Sequence, residues 1–172
     1  MTPEITISGP LAGLQQWLAE RDVDFDIHEH DEAFSATSTA LAEGVDVRTF
    51  AKVVGVVTDD GRAALLVLDA DDRLDLDKAS TALDAKHVRL LTEAGLAALT
   101  PGCLPGAVPA VGELFQLPMI ADLAVRDDAE ISFNAGTHRH SVRVDRPAWE
   151  RATGVRYADL AAEDPDRPAW AS

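Results

Sequence analysis

The chain of 172 residues carries 30 Asp plus Glu against 15 Lys plus Arg, a formal charge of −15, and 47% of it is hydrophobic and 26% charged. A globular chain of this length buries about 70% of its unfolded surface, which argues against disorder. Its uncharged apolar runs fall far short of the roughly 20 residues a membrane helix needs. Phosphate affinity comes from Lys and Arg displacing counterions, so neither a membrane nor DNA is expected as partner. Residues 1–10 lack a basic start and an apolar signal core, and Cys103 has no second cysteine to pair with. These features predict a cytoplasmic chain with one domain over residues 1–163 and a polar tail over 164–172.

In chain order, Ser8 and Pro10 precede Leu11, Leu14, Trp17 and Leu18, a helical stripe that ends near Glu20. Alternation at Val23, Phe25 and Ile27 predicts a short strand running into His28. Thr37 or Ser38 then caps a helix that Gly44 terminates, with Val47 and Phe50 continuing its apolar face. The apolar runs 51–58 and 63–70 flank Asp59, Asp60, Gly61 and Arg62 and predict a central β-hairpin. Asp75 caps a helix over 76–83, and a second helix follows over about 92–99. Pro101, Gly102, Pro105, Gly106, Pro109 and Gly112 then enforce a loop suited to form a binding wall. Strands are expected over 119–125, 130–134 and 141–144, and Pro147 opens a last helix through Trp149.

Lys52 interrupts an apolar strand, where an ammonium is costly unless it reaches a partner or a cavity. Two readings stand for it: a side chain snorkelling from the strand end, or a lysine facing an anionic ligand. His28 with His30, and His138 with His140, each share a strand face by their spacing. Four histidines suit a metal-dependent hydrolase, although nothing in the spacing brings the two pairs together, and no metal or other cofactor is expected. Serine-hydrolase, dinucleotide and P-loop signatures are absent.

Taken together, Ser35-Ala36, Ala40-Leu41, Gly44 and Phe50-Ala51-Lys52 resemble the helix-to-strand approach of the YbaK/ProX aminoacyl-tRNA deacylases, the family of the editing domain in many prolyl-tRNA synthetases. Gly106-Ala107-Val108-Pro109-Ala110-Val111-Gly112 resembles the family's glycine-proline loop. Leu117 to Asp122 resembles its strand start with a fixed aspartate, and Asn134-Ala135-Gly136-Thr137 its late glycine turn. Ala110 stands where the family loop carries proline.

The resemblance implies a mixed α/β fold with a curled, barrel-like sheet flanked by helices, and a freestanding hydrolase that clears mischarged tRNA. Lys52 is then the catalytic residue, holding the terminal adenosine's phosphate or orienting the ester. Gly106, Ala107, Val108, Pro109, Gly136, Thr137 and His138 line the substrate site, while Asp122 and Ser35 support it. Arg48, Arg139 and Arg143 would supply local positive surface. The implied partner is aminoacyl-tRNA through its 3′-terminal adenosine, with an aminoacyl-tRNA synthetase as a second candidate. A noncatalytic module of the same fold, binding tRNA or a synthetase, is the alternative.

Overall fold

The computed structural model describes residues 11–29 and 49–163. Helix α1 (Ala12–Glu20) buries Leu14, Trp17 and Leu18, the stripe its periodicity predicts. Strand β1 (Phe25–Glu29) follows. The expected helix between Thr37 and Gly44 lies outside the described residues, as do Ser8, Pro10, His30, Ser35, Val47 and Arg48. Strands β2 (Ala51–Thr58) and β3 (Ala63–Asp69) form the predicted hairpin, with Gly61 at φ +90° in its turn.

Helix α2 (Leu76–Ala82) starts where the Asp75 carboxylate accepts the Asp77 and Lys78 amides. Strand β4 (Val88–Leu90) precedes helix α3 (Glu93–Leu99), which Thr92 caps through the Gly95 amide. After the proline-rich loop and a 3-10 turn (Gly112–Phe115) come strand β5 (Met119–Asp122) and the short helix α4 (Leu123–Arg126). Strands β6 (Glu130–Asn134) and β7 (His140–Asp145), helix α5 (Arg146–Thr153) and strand β8 (Arg156–Ala158) complete the order.

The strands make two sheets, β1-β7-β6 and β4-β2-β3-β5-β8. The first is antiparallel throughout; in the second β3, β5 and β8 run parallel. Neither sheet closes or curls into a barrel, which corrects the barrel-like expectation. The sheets touch instead at an isolated parallel bridge between Phe50 and Ser132, where the Ser132 amide donates to the Thr49 carbonyl at 3.0 Å.

One core lies between the sheets, where Val67, Ala121, Phe133, Val142 and Trp149 meet Leu14 and Leu18 of α1. A second fills the other face of the larger sheet, where Val56, Leu66, Leu68 and Ile120 pack with Ala79 and Leu83. With apolar residues on both faces, β2 and β3 read as continuous hydrophobic runs.

Candidate active site

Side chains alternate across a strand, so the register decides which residues share a face. In the smaller sheet Ile27, Val142 and Phe133 line up on the core side. On the opposite face His28 pairs with Ser141, and Ser141 with Asn134, giving a polar row across three strands. Ser141 is fully buried and Asn134 is 4% exposed. Lys52 and Asn134 each stand two residues beyond the parallel bridge of Phe50 and Ser132. Asn134, Ser141 and His28 therefore share one polar row, and the bridge brings the strand of Lys52 alongside its Asn134 end.

Lys52 is partly buried and pairs with Leu68 on β3. Burial lowers its pKa, while the Asp72 and Asp71 carboxylates pull the other way. The cation is partly desolvated, with acidic residues opposing that effect.

The loop reaches the row through Asn134, whose Nδ2 donates to the Gly106 carbonyl at 3.4 Å. Gly106 has φ +81°, a conformation L side chains adopt rarely. The Gly136 amide donates to the Ala107 carbonyl at 2.9 Å, and the Leu104 amide to the Gly136 carbonyl at 2.9 Å, so the loop and the late glycine turn lie side by side. Gly136 has φ +97°, and a Cβ there would stand 3.0 Å from the Leu11 Cβ, so the turn requires glycine twice over.

Ala107, Val108 and Pro109 are buried, as are Thr137 and His138 in the turn. Among the described residues, the amides of Gly106, Val108 and Ala110 donate no backbone hydrogen bond; Gly106 is exposed, and Val108 and Ala110 are buried. Ala110 has a structural part as well: its carbonyl accepts from the Trp149 indole at 2.7 Å and its side chain sits in the core. The backbone departure from the family loop thus adds an amide while its methyl group packs inward.

Asp122 is 3% exposed and tied entirely to backbone. One oxygen accepts the Ala124 amide and caps α4; the other accepts the Leu160 and Ala161 amides at 2.8 and 3.0 Å. It supports the sheet edge and touches no substrate-facing group.

Among the described residues, the histidines of the two pairs do not share a face. His28 lies on the polar face, whereas His140 pairs with Glu29, one residue further along β1, and so points to the opposite face. Among the described residues no three His, Cys, Asp or Glu side chains form a metal-holding group. Burial pushes the Cys103 thiol up to about 12, which makes it a poor nucleophile.

A cavity of about 870 Å³ opens elsewhere, at the starts of β3, β5 and β8, between Ala63, Met119 and Arg156. Gly112 of the loop and Leu117 to Ile120 line it, whereas Lys52, Gly106, Gly136, Thr137 and His138 do not. Arg62, Glu113, Gln116 and Arg156 supply its polar groups, while on the polar face Asn134 Oδ1 and His28 Nε2 meet no hydrogen-bond partner among the described residues.

Sequence reasoning singled out Lys52, the loop and the turn as candidates but did not include Asn134 or Ser141 among them. Their signal was present in residues 131–134 and 140–144, where polar side chains recur at every second position of otherwise apolar strands.

Solved structures share this architecture. One, described as a candidate trans-editing enzyme for prolyl-tRNA synthetase, is 27% identical with a TM-score of 0.75, covering 88% of this chain and 96% of that one. A scaffold from computational epitope backbone grafting is 28% identical with a TM-score of 0.76, covering 88% and 96%. The hypothetical protein APE2540, 19% identical, has a TM-score of 0.80 over 87% and 99% of the two chains, a likeness of fold alone. No curated protein matches the sequence. The fold is thus the mixed α/β fold of such a trans-editing domain. Residues 30–152 match the aminoacyl-tRNA editing domain, and the chain belongs to that family.

Proposed function

We propose that the chain is a freestanding aminoacyl-tRNA deacylase, hydrolysing the ester between a mischarged amino acid and the 3′-terminal adenosine of tRNA. What supports this reading is the parallel bridge between Phe50 and Ser132, which sets the strand of Lys52 beside that of Asn134, together with the Asn134 amide bonded to the Gly106 loop. Water adds to the aminoacyl carbonyl, whose oxygen gathers negative charge; collapse breaks the ester C–O bond and releases the amino acid and the ribose hydroxyl. The loop amides of Gly106 and Val108 stabilise the oxyanion. Lys52 holds the phosphate of the terminal adenosine and thereby places the ester. Gly136, Thr137 and His138 form the facing wall, with Pro109 and Ala107 shaping the aminoacyl side. An activated ester with a positioned water requires no protein nucleophile.

The reading extends to a cytoplasmic enzyme acting on tRNA in trans, in concert with a synthetase. Its test is a panel of tRNAs charged with Ala, Ser, Cys or Pro, assayed for ester loss with wild type and Lys52→Ala. At least one charge should be cleared by wild type and spared by the variant. A wild type inert on the whole panel overturns the deacylase and leaves the noncatalytic module of the same fold.

A further inference from the structure

At the first residue of β7, His140 is 4% exposed and bonded on both sides of its ring. Its Nδ1 lies 2.7 Å from the Thr137 hydroxyl, and its Nε2 lies 3.4 Å from a Glu29 carboxylate oxygen on β1. The protons can be assigned by elimination. A carboxylate only accepts, so the neutral imidazole carries its hydrogen on Nε2 and presents Nδ1 as an acceptor. The Thr137 hydroxyl then gives its one hydrogen to Nδ1. Its oxygen takes the Arg139 amide at 3.1 Å, and one acceptor site on that oxygen remains.

The chain of bonds fixes a turn that faces the proposed site. Gly136, adjacent to Thr137, is bonded to Ala107 and Leu104 of the loop, and His138 follows directly. Among the described residues, the titratable and charged groups near His140 in chain and register are Glu29 on β1 and His138 and Arg139 in the turn; His28 and Arg143 point to the other face of the sheet. A second proton on the imidazole would put a hydrogen on Nδ1 and reverse its bond to Thr137: the hydroxyl would accept from Nδ1, lose its remaining acceptor site and turn its own hydrogen elsewhere.

We propose that His140, steadied by Glu29, is a positioning residue for the hydrolysis, holding the Thr137 hydroxyl as an acceptor and the 135–140 turn against the Gly106 loop. The inference rests on the deacylase reading and adds to it a requirement that this imidazole be neutral. Misplacing a wall of the site by about an ångström is enough to cost turnover heavily, so His140→Phe and Thr137→Val each lower kcat about tenfold or more, with KM changed less than about twofold. His140→Asn, whose amide oxygen accepts where Nδ1 did, returns kcat to within about threefold of wild type, and its rate falls less on acidification than the wild-type rate. The ¹⁵N shifts of the wild-type ring report the hydrogen on Nε2.

Kinetics of the four proteins on the best substrate of the panel, each compared per folded molecule, decide the matter. Unchanged kcat in Thr137→Val and His140→Phe overturns the inference and leaves the deacylase standing. So does a loss in His140→Phe that His140→Asn fails to restore, or a ring hydrogen found on Nδ1. A wild type that clears no aminoacyl-tRNA overturns the deacylase reading and the inference with it.

Discussion

Asp122 and Asn134 are buried alike, at 3% and 4% exposure, one in each sheet. Every bond of Asp122 that the structure gives runs to backbone: its two oxygens take three amides and stitch β5 to the segment after β8. Asn134 spends its amide hydrogens on Gly106, while its Oδ1, like the Nε2 of His28 in the same row, meets no partner among the described residues. An unsatisfied buried polar atom costs about 1–3 kcal/mol. The larger sheet thus uses a buried polar side chain to hold the chain together, and the smaller sheet holds buried polar atoms that no described residue satisfies.

The sharpest separation of the two regions comes from Lys52→Ala set against Asp122→Ala. Removing Lys52 should lower deacylation about a hundredfold or more, roughly 3 kcal/mol of transition-state binding, with little change in Tm. Asp122→Ala should do the reverse. It loses a helix cap and two further amide bonds and should cost about 2–4 kcal/mol in urea unfolding, while activity per folded molecule holds. If Asp122→Ala were inactive but fully stable, the division between the two sheets would fail.

Gly106→Val should mix both effects, because its positive φ is strained for valine. We expect a loss of about 1–2 kcal/mol of stability together with a fall in turnover larger than that loss explains. Chemical denaturation run beside single-turnover rates would separate the two.

The smallest expected effect probes an exception in the larger sheet. Burial, then Asp128, Asp72, Asp71 and Asp122, push the Asp69 carboxyl up to about 8. Between about pH 4 and 8 the unfolded chain has ionised this group while the folded chain keeps it protonated, so its contribution to stability is lost as pH rises. Asp69→Asn removes that slope and should stabilise the protein by about 1–2 kcal/mol at pH 8, with the gain shrinking towards pH 4. Melting curves across that range would show a constant difference if the carboxyl were in fact normal.

The sequence made the β2–β3 hairpin legible because both strands are buried on two faces and a polar turn separates them. It misled at residues 119–125, where an apolar run predicts one strand. There Asp122 ends β5 and caps α4, and the backbone turns helical. Strands β4 and β8 escaped notice because three residues carry no period, and their neighbours in the sheet define them. The barrel was overdrawn for a similar reason: whether two sheets join around a core depends on pairings such as Phe50 with Ser132 that no local pattern encodes. Lys52 and the glycines announced themselves by violating local rules, a charge in an apolar strand and residues needed at positive φ. Asn134 and Ser141 violate nothing locally, and they become site residues only when register sets them beside each other.

That register also dictates an order of assembly. β6 and β7 are neighbours in sequence and pair as a hairpin, but Phe25 of β1 must find Val144 of β7 across most of the chain. Closing so long a loop is entropically costly, and contacts of this separation form slowly. On the ribosome, α1, β1 and the central hairpin emerge first and wait. The row from His28 to Asn134 is completed only when the last third of the chain has been made, so a nascent or truncated chain that already carries Lys52 and the glycine loop lacks the polar row those residues adjoin.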